Sequence, residues 1–153
     1  MVLRADEFQV VEEAAATLGL ELRALEVRDA AALADAFERA SAERVDGLFL
    51  IDNPVLTSNA GRVGELARLH RLPMSSANRP LAVAGGLLVY GVNRPALYRR
   101  AASYVDRILK SADPAELPVE RPTTFDLVIN LQTAHALGLT IPQHVLLQAT
   151  EVI

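Results

Sequence analysis

Hydrophobic positions divide the first half of the chain into helix and strand patterns. Apolar residues recur at three- and four-residue spacing over Asp6–Leu18, Asp29–Ala42 and Asn59–His70, which predicts three amphipathic helices. Leu20–Val27 instead alternates apolar and charged residues, as a half-buried strand does. Val45–Ile51 is a continuous apolar run, which is typical of a strand buried on both faces of a parallel sheet.

The second half continues the alternation of strands and helices. Leu72–Ser75 and Leu87–Gly91 predict two short strands, and Pro95–Lys110 predicts a helix with proline in its first turn. A proline-rich connector covers Asp113–Pro122, and Pro122–Pro142 follows as a strand and a short helix closed by Gly-Leu-Thr-Ile-Pro. The whole pattern predicts an α/β fold in which helices flank a mainly parallel sheet.

Composition places limits on the function. The chain has 153 residues, which is the size of one domain or two small lobes, and its 51% hydrophobic content allows a sizeable core. A net charge of -4 gives no electrostatic footprint for nucleic acid. The absence of cysteine excludes disulfides, thiolate metal sites and a thiol nucleophile. The N-terminal pattern is not that of a signal peptide, and no apolar run reaches the ~18 residues of a membrane span.

Three polar loops follow predicted strands. They are Asp52–Asn53, Ser75–Arg79 and Tyr90–Asn93. Ligands of open parallel sheets bind beyond the carboxyl ends of the strands, so these loops predict a site for the ammonium, carboxylate or hydroxyl groups of a small polar molecule. The same residue types also form turns and helix caps, and the sequence leaves that alternative open.

Catalytic and metal-binding patterns are weak by comparison. His70, His135 and His144 lie in predicted helices without metal-ligand spacing. The chain carries no nucleophile elbow, phosphate-binding loop or dinucleotide fingerprint. We therefore expect no catalytic residues and no metal site.

Long segments of the chain resemble one bacterial family. Pro118–Pro142 closely resembles the C-terminal signature of ABC-transporter substrate-binding proteins of the tryptophan/tyrosine type. Gly85–Glu120 resembles the segment before that signature, and Glu12–Pro54 is similar to the family's second lobe. The resemblance implies the architecture of type 1 periplasmic binding proteins, with two Rossmann-like lobes that close on a solute. It also implies no cofactor, no chemistry and delivery of the solute, often an aromatic amino acid, to an ABC permease.

The resemblance assigns parts of the chain to one lobe only. Residues 1–93 and 122–153 resemble lobe two, and the helix over 94–111 corresponds to the element that crosses back to lobe one. The family's first strand of lobe two has only Met1–Leu3 in its place. Such a gap would leave backbone groups unpaired, unless the strand order changes, a second copy fills the gap, or elements swap between protomers.

We expect a homodimer because the helix over 94–111 would otherwise expose an apolar face. Its members are Leu97, Ala101, Tyr104, Val105 and Ile108.

The resemblance also assigns roles to the loop residues. Asp52 and Asn53 match the family's acidic turn, Asn78 its cleft loop, and Tyr90 and Asn93 its crossover. Asp52 would accept an ammonium group, the two later asparagines would hold polar groups, and Tyr90 would form an aromatic wall or anchor the hinge. The predicted ligand-binding set is Asp52, Asn53, Ser75, Asn78, Tyr90 and Asn93.

Two functions of different classes compete at this point. The first is the solute-binding component of an ABC import system, present as its C-terminal half and binding weakly because half the cleft is absent. The alternative is a stand-alone dimerisation or interaction domain derived from such a protein, and a small α/β enzyme is third. The family is periplasmic or an extracellular lipoprotein, whereas a true start at Met1 without a signal peptide predicts the cytoplasm.

Overall fold

A five-stranded sheet organises the chain. The computed structural model describes residues 5–153, with side chains from Phe8 onward. The strands are β1 (Leu48–Leu50), β2 (Met74–Ser76), β3 (Leu88–Val92), β4 (Phe125–Ile129) and β5 (Glu151–Val152), and they lie side by side in chain order. Strands β1 to β3 are mutually parallel, β4 is antiparallel to β3, and β5 is parallel to β4. The predicted α/β fold with a mainly parallel sheet and flanking helices is confirmed.

Eight α-helices connect or flank these strands in the described part of the chain. They are α1 (Ala5–Leu18), α2 (Ala32–Ala42), α3 (Pro54–Ser58), α4 (Ala60–His70), α5 (Arg79–Val83), α6 (Arg94–Leu109), α7 (Leu131–Leu137) and α8 (Gln143–Leu146). The four long helices, α1, α2, α4 and α6, lie close to their predicted bounds. The sequence patterns missed α3, α5, α8 and β5, because elements of two to five residues are too short to show a period. The expectation about Met1–Leu3 lies outside the described residues.

The predicted strand at Leu20–Val27 is wrong. No regular structure occurs there, and no backbone–backbone hydrogen bond joins residues 21–28 to another described residue. The alternating pattern reported burial only in part, since Leu25 and Val27 pack against the main core whereas Leu20 and Leu22 are exposed. A strand also needs a neighbour for its backbone groups, and among the described strands β1 is the outermost at that end of the sheet. Side-chain alternation cannot reveal whether that neighbour exists.

An aliphatic core joins α2, α3, α4 and α5 to β2. Leu33 and Val63 have exposed fractions of 1% and 0%, and burial of one such side chain stabilises the fold by about 1.5–3 kcal/mol. A second, smaller cluster formed by Ala82, Val89 and Val128 joins α5 to the centre of the sheet. Helix α5 therefore takes part in both clusters, which fixes the turn that precedes it.

Helix α4 and the end of α5 approach each other at backbone contact. A Cβ atom on Gly64 would lie 1.6 Å from the carbonyl oxygen of Ala84, so only glycine fits. Gly61, one turn earlier in the same helix, has no heavy atom within 4 Å of its ideal Cβ position. The approach at Gly64 holds α5 against α4 and so positions the loop after β2.

Helix α6 packs against the connector rather than the core. It has no buried residue, and Leu97, Val105 and Ile108 are exposed. Arg100 pairs with Glu120 of the connector, and the Tyr104 hydroxyl donates to the carbonyl oxygen of Pro118 at 2.7 Å. No helix among residues 5–153 is both long and apolar enough to cross a membrane.

The charge of Arg100 acts directly on the Glu120 carboxylate. Hydrogen bonds from Arg100 have the largest effect and that of the Tyr104 hydroxyl the next largest. They lower the pKa of Glu120 from 4.5 to about 2. Both side chains are partly exposed to solvent, so salt screens the pair. It orients the connector along α6 at neutral pH.

Gly64→Ala tests the contact between α4 and α5. We expect the free energy of unfolding to fall by about 1–3 kcal/mol, the usual cost of overpacking, because the neighbouring atoms are backbone and cannot rotate away. Gly61→Ala is the matched control and should raise stability by about 0.5–1 kcal/mol through helix propensity. Urea unfolding measures both. Equal changes in the two variants would contradict the proposed contact.

Acid should release the connector from α6. The pKa of Glu120 is lowered in the folded state, so the contribution of the pair is fully present above pH 4.5 and is lost as the pH falls through about 2. The NMR shifts of the Tyr104 ring, which lies 5.2 Å from the Arg100 guanidinium, should move over this range. In Glu120→Gln the same movement should be absent. A wild-type ring signal that stays constant between these pH values would refute the interpretation.

Candidate functional site

Three strand ends meet at one edge of the sheet, and each leads into a helix through asparagine. Asn53 directly precedes Pro54 at the start of α3. Asn78 and Asn93 each lie two residues before a proline, which is Pro80 in α5 and Pro95 in α6. Asparagine at the N-cap followed by proline in the first turn is a strong start signal for a helix. Because β1, β2 and β3 are parallel, these three helix starts lie along the same edge.

Two of these asparagines act as helix caps and the third does not. The Oδ1 atoms of Asn53 and Asn93 accept hydrogen bonds from the backbone N–H groups of Val55 and Ala96, each at 2.8 Å. Asn78 makes no side-chain cap bond although it occupies the same position relative to α5. Its amide is therefore available for contacts across the sheet edge.

Asn78 uses its amide to hold Asp52. Its Nδ2 donates to Asp52 Oδ1 and to Thr57 Oγ1, both at 3.0 Å. Thr57 Oγ1 lies 3.4 Å from the same carboxylate oxygen, and Arg94 Nη2 donates to the other oxygen, Asp52 Oδ2, at 2.6 Å. We call Asp52, Thr57, Asn78 and Arg94 the Asp52 cluster. It joins the loops that follow all three parallel strands.

Burial within the Asp52 cluster is uneven. Asn78 is only 3% exposed, whereas the side chains of Asp52 and Arg94 are 47% and 55% exposed. A fixed, buried amide thus orients a carboxylate that still faces solvent. Such a carboxylate can accept charge-assisted hydrogen bonds from a cationic group, and in this structure the cation is Arg94.

A cavity of about 210 Å³ lies beside the cluster, between the starts of α5 and α6. Val89, Gly91 and Val128 form its apolar floor, and Asn78 and Arg94 are among its polar walls. Pockets for complete small ligands measure about 300–1,000 Å³, so this cavity holds only part of one.

Gly91 makes the floor of the cavity possible. A Cβ atom at this position would lie 2.1 Å from the carbonyl oxygen of Ala77, which is a backbone atom. Strand β3 and the turn after β2 are therefore in direct backbone contact. Any larger residue would clash with the backbone of Ala77, which directly precedes Asn78.

One ion pair and one hydrogen bond support the rim of the cavity. Arg79 contacts Glu151 of β5 through Nη2 to Oε1 at 2.5 Å and through Nε to Oε2 at 3.1 Å. This carboxylate raises the pKa of Arg79. On the other side, Asn93 Nδ2 donates to Asp126 Oδ1 at 3.0 Å. The first pair fixes the start of α5 to the sheet, and the second fixes the start of α6.

The structure brings together some of the predicted residues and separates others. Asp52 and Asn78 are hydrogen-bonded to each other, as the sheet-edge argument required. Asn53 and Asn93 lie at the same edge, but they form helix caps, which is the alternative that the sequence left open. Ser75 lies inside β2 rather than after it. Their roles in binding stay predictions.

Tyr90 lies on the opposite face of β3 from Gly91, because successive residues of a strand point to opposite faces. Its ring is 60% exposed and stacks on Phe125, with ring centroids 5.8 Å apart and an interplanar angle of 17°. It does not line the cavity beside Asn78. Its assignment as an aromatic wall remains a prediction, and a role as an anchor between β3 and β4 fits the same contact.

Sequence reasoning missed Thr57, Arg94 and Asp126. Arg94 had a usable signal, since it directly follows the predicted site residue Asn93 and is a cation beside a predicted anionic loop. Thr57 belongs to a helix too short to show a period. Asp126 is at the start of a strand, whereas the sheet-edge rule applies to the residues that follow a strand. Both became visible only through their partners.

Comparison with known proteins gives a consistent family and fold. A family model described as ABC transporter substrate binding protein matches residues 4–153. No curated protein matches the sequence significantly. A conserved domain protein from Vibrio cholerae is 25% identical, with a TM-score of 0.85, and the match covers 97% of this chain and 50% of that one.

Two further solved structures are similar. The ABC domain from Streptococcus pneumoniae, in complex with L-Trp, is 26% identical with a TM-score of 0.84, over 97% of this chain and 50% of that one. The open, ligand-free substrate-binding protein with adhesive properties from Clostridium difficile shares the fold at 17% identity and a TM-score of 0.72, over 100% of this chain and 51% of that one. The chain therefore spans about half the length of the structures that it matches.

Asn78→Asp tests whether the buried amide organises the site. The change removes two donated hydrogen bonds and places a second carboxylate against Asp52, so we expect the free energy of unfolding to fall by about 2 kcal/mol at pH 7. Burial and like charge raise the pKa of the new carboxyl in the folded state. The penalty should therefore shrink as the pH falls through that raised value towards about 4.

Asn53→Asp is the matched control for this prediction. An aspartate there can still accept the hydrogen bond from the N–H group of Val55 and loses only the long 3.5 Å contact of Nδ2 with the Val27 carbonyl oxygen, so we expect a change within about 1 kcal/mol. Urea unfolding at pH 7 and pH 4.5 compares the variants. A loss in Asn78→Asp that matches the control, or that does not recover in acid, would show that the amide does not hold the carboxylate.

Proposed function

Because the chain belongs to the family of ABC transporter substrate-binding proteins, we propose that it binds a small zwitterionic solute, an amino acid or a close relative, at the Asp52 cluster. The observation that carries this proposal is the half-exposed Asp52 carboxylate held by the buried amide of Asn78. An α-ammonium group matches this carboxylate in charge and in hydrogen bonding. In this role the chain does no chemistry and serves as the solute-binding part of an import system with an ABC permease.

The similar structure that contains L-Trp supports an amino acid as the class of ligand. The apolar cavity floor of Val89, Gly91 and Val128 gives a side chain or an aliphatic stem a place to pack. The cavity offers only part of the surface that a complete cleft would. Association still costs on the order of 4–15 kcal/mol of lost freedom, so we expect weak, millimolar-range binding by this part alone.

We propose that a second folded unit packs against this chain, completes the cleft and covers α6. Residues 1–93 and 122–153 would form one lobe, and the helix over 94–111 would pack on the second unit. The support is the absence of any buried residue in α6 together with the exposed side chains of Leu97, Val105 and Ile108. A second copy of the chain, forming a homodimer, offers the same apolar face in return.

The binding proposal predicts a defined effect of Asp52→Asn. Loss of a charge-assisted hydrogen bond costs about 1.5–3 kcal/mol, so the affinity for the best amino acid should fall by about tenfold or more. Two-dimensional NMR titration with each of the twenty amino acids suits weak binding and locates the perturbed signals. Those of Asn78, Gly91 and Arg94 should move with the ligand.

Glu65→Gln is the control, since Glu65 lies on α4, pairs with Arg62 and is outside the cavity lining. It should bind the same amino acid as tightly as the wild type. The proposed function fails if no amino acid moves the signals of the cavity residues, or if Asp52→Asn binds as well as this control.

A further inference from the structure

We propose that Arg94 recognises the carboxylate of the ligand, so that the ion pair between Asp52 and Arg94 opens to admit a zwitterion and re-forms through it. This inference rests on the proposed function and adds a selectivity to it. In the free protein the two side chains satisfy each other at 2.6 Å. With a zwitterion between them, Asp52 would hold the ammonium group and Arg94 the carboxylate.

The position of Arg94 fits this role better than that of the other arginine at the cavity. Arg79 also lines the cavity, but Glu151 already holds it through two nitrogens. Arg94 gives one Nη2 hydrogen bond to Asp52. A guanidinium has five donors, so Arg94 keeps a fork that fits a carboxylate in the bidentate manner.

The cost of opening the pair is small. Both side chains are about half exposed, at 55% and 47%, and pairs of this kind contribute roughly 0–1 kcal/mol. Asp52 would keep its place after the pair opens, because Asn78 and Thr57 contact its other carboxylate oxygen. Only Arg94 has to move, and the other contacts of the Asp52 cluster stay in place.

Selectivity follows from the exchange of partners. A simple amine must displace Arg94 from Asp52 and gives the arginine nothing in return. A simple carboxylate must draw Arg94 away and leaves Asp52 without its cation. A molecule that carries both groups gives Asp52 a new cation and Arg94 a new anion, so neither charge is left without a partner.

Three probes separate the two ends of the ligand: L-tryptophan, tryptamine, which lacks the carboxylate, and indole-3-propionate, which lacks the ammonium group. We expect the wild type to bind L-tryptophan about tenfold more tightly than either analogue. If another amino acid gives the largest shifts in the titration of all twenty, its own amine and its own acid take the same places.

Arg94→Gln should change the order of these affinities. Binding of L-tryptophan should weaken by about tenfold, whereas binding of tryptamine should stay equal or become tighter, since Asp52 is no longer occupied by the guanidinium. Arg94→Lys keeps the charge without the fork and should give an intermediate result. Arg62→Gln, on α4 and outside the cavity lining, is the control and should bind as the wild type does.

The outcomes separate this inference from the proposed function. If Arg94→Gln weakens or strengthens L-tryptophan and tryptamine by the same factor, Arg94 is a structural partner or a competitor, and the inference fails while the binding function stands. If none of the probes and none of the twenty amino acids binds, both fail. Unchanged amide spectra of the unliganded variant confirm that it is folded.

Discussion

The parallel alignment of β1, β2 and β3 determines where polar chemistry can occur in this chain. It brings three strand ends to one edge, and the loops that leave them supply the carboxylate, the amide and the guanidinium of the Asp52 cluster. The antiparallel β4 then places Asp126 opposite Gly91, where it supports the start of α6. If the register of these strands shifted, none of the contacts between Asp52, Asn78 and Arg94 would survive.

Three asparagines in equivalent positions play two different structural roles at this edge. The Oδ1 atoms of Asn53 and Asn93 cap the helices that follow and so keep those helices in place. Asn78 has the same position before α5 but directs its amide across the edge to Asp52. The departure of one asparagine from the ordinary capping role is what creates an oriented carboxylate at the surface.

The sequence predicted the features that depend on local pattern and missed those that depend on a partner. Long helices such as Arg94–Leu109 and the proximity of Asp52 to Asn78 followed from periodicity and from the rule for parallel strands. Leu20–Val27 has the side-chain pattern of a strand but no backbone partner among the described residues, so the prediction failed there. Arg94 was missed because only the fold shows that it reaches a carboxylate 42 positions away.

The backbone contact between Gly91 and Ala77 also bears on how such a site can change over time. At this point of the cavity floor two main chains touch, so no side chain fits at Gly91. The Asp52 cluster beside the cavity, in contrast, includes the half-exposed side chains of Asp52 and Arg94, whose replacement costs the fold little. Substitutions can therefore accumulate at Asp52 and Arg94 while the chain stays folded, whereas Gly91 has to stay glycine.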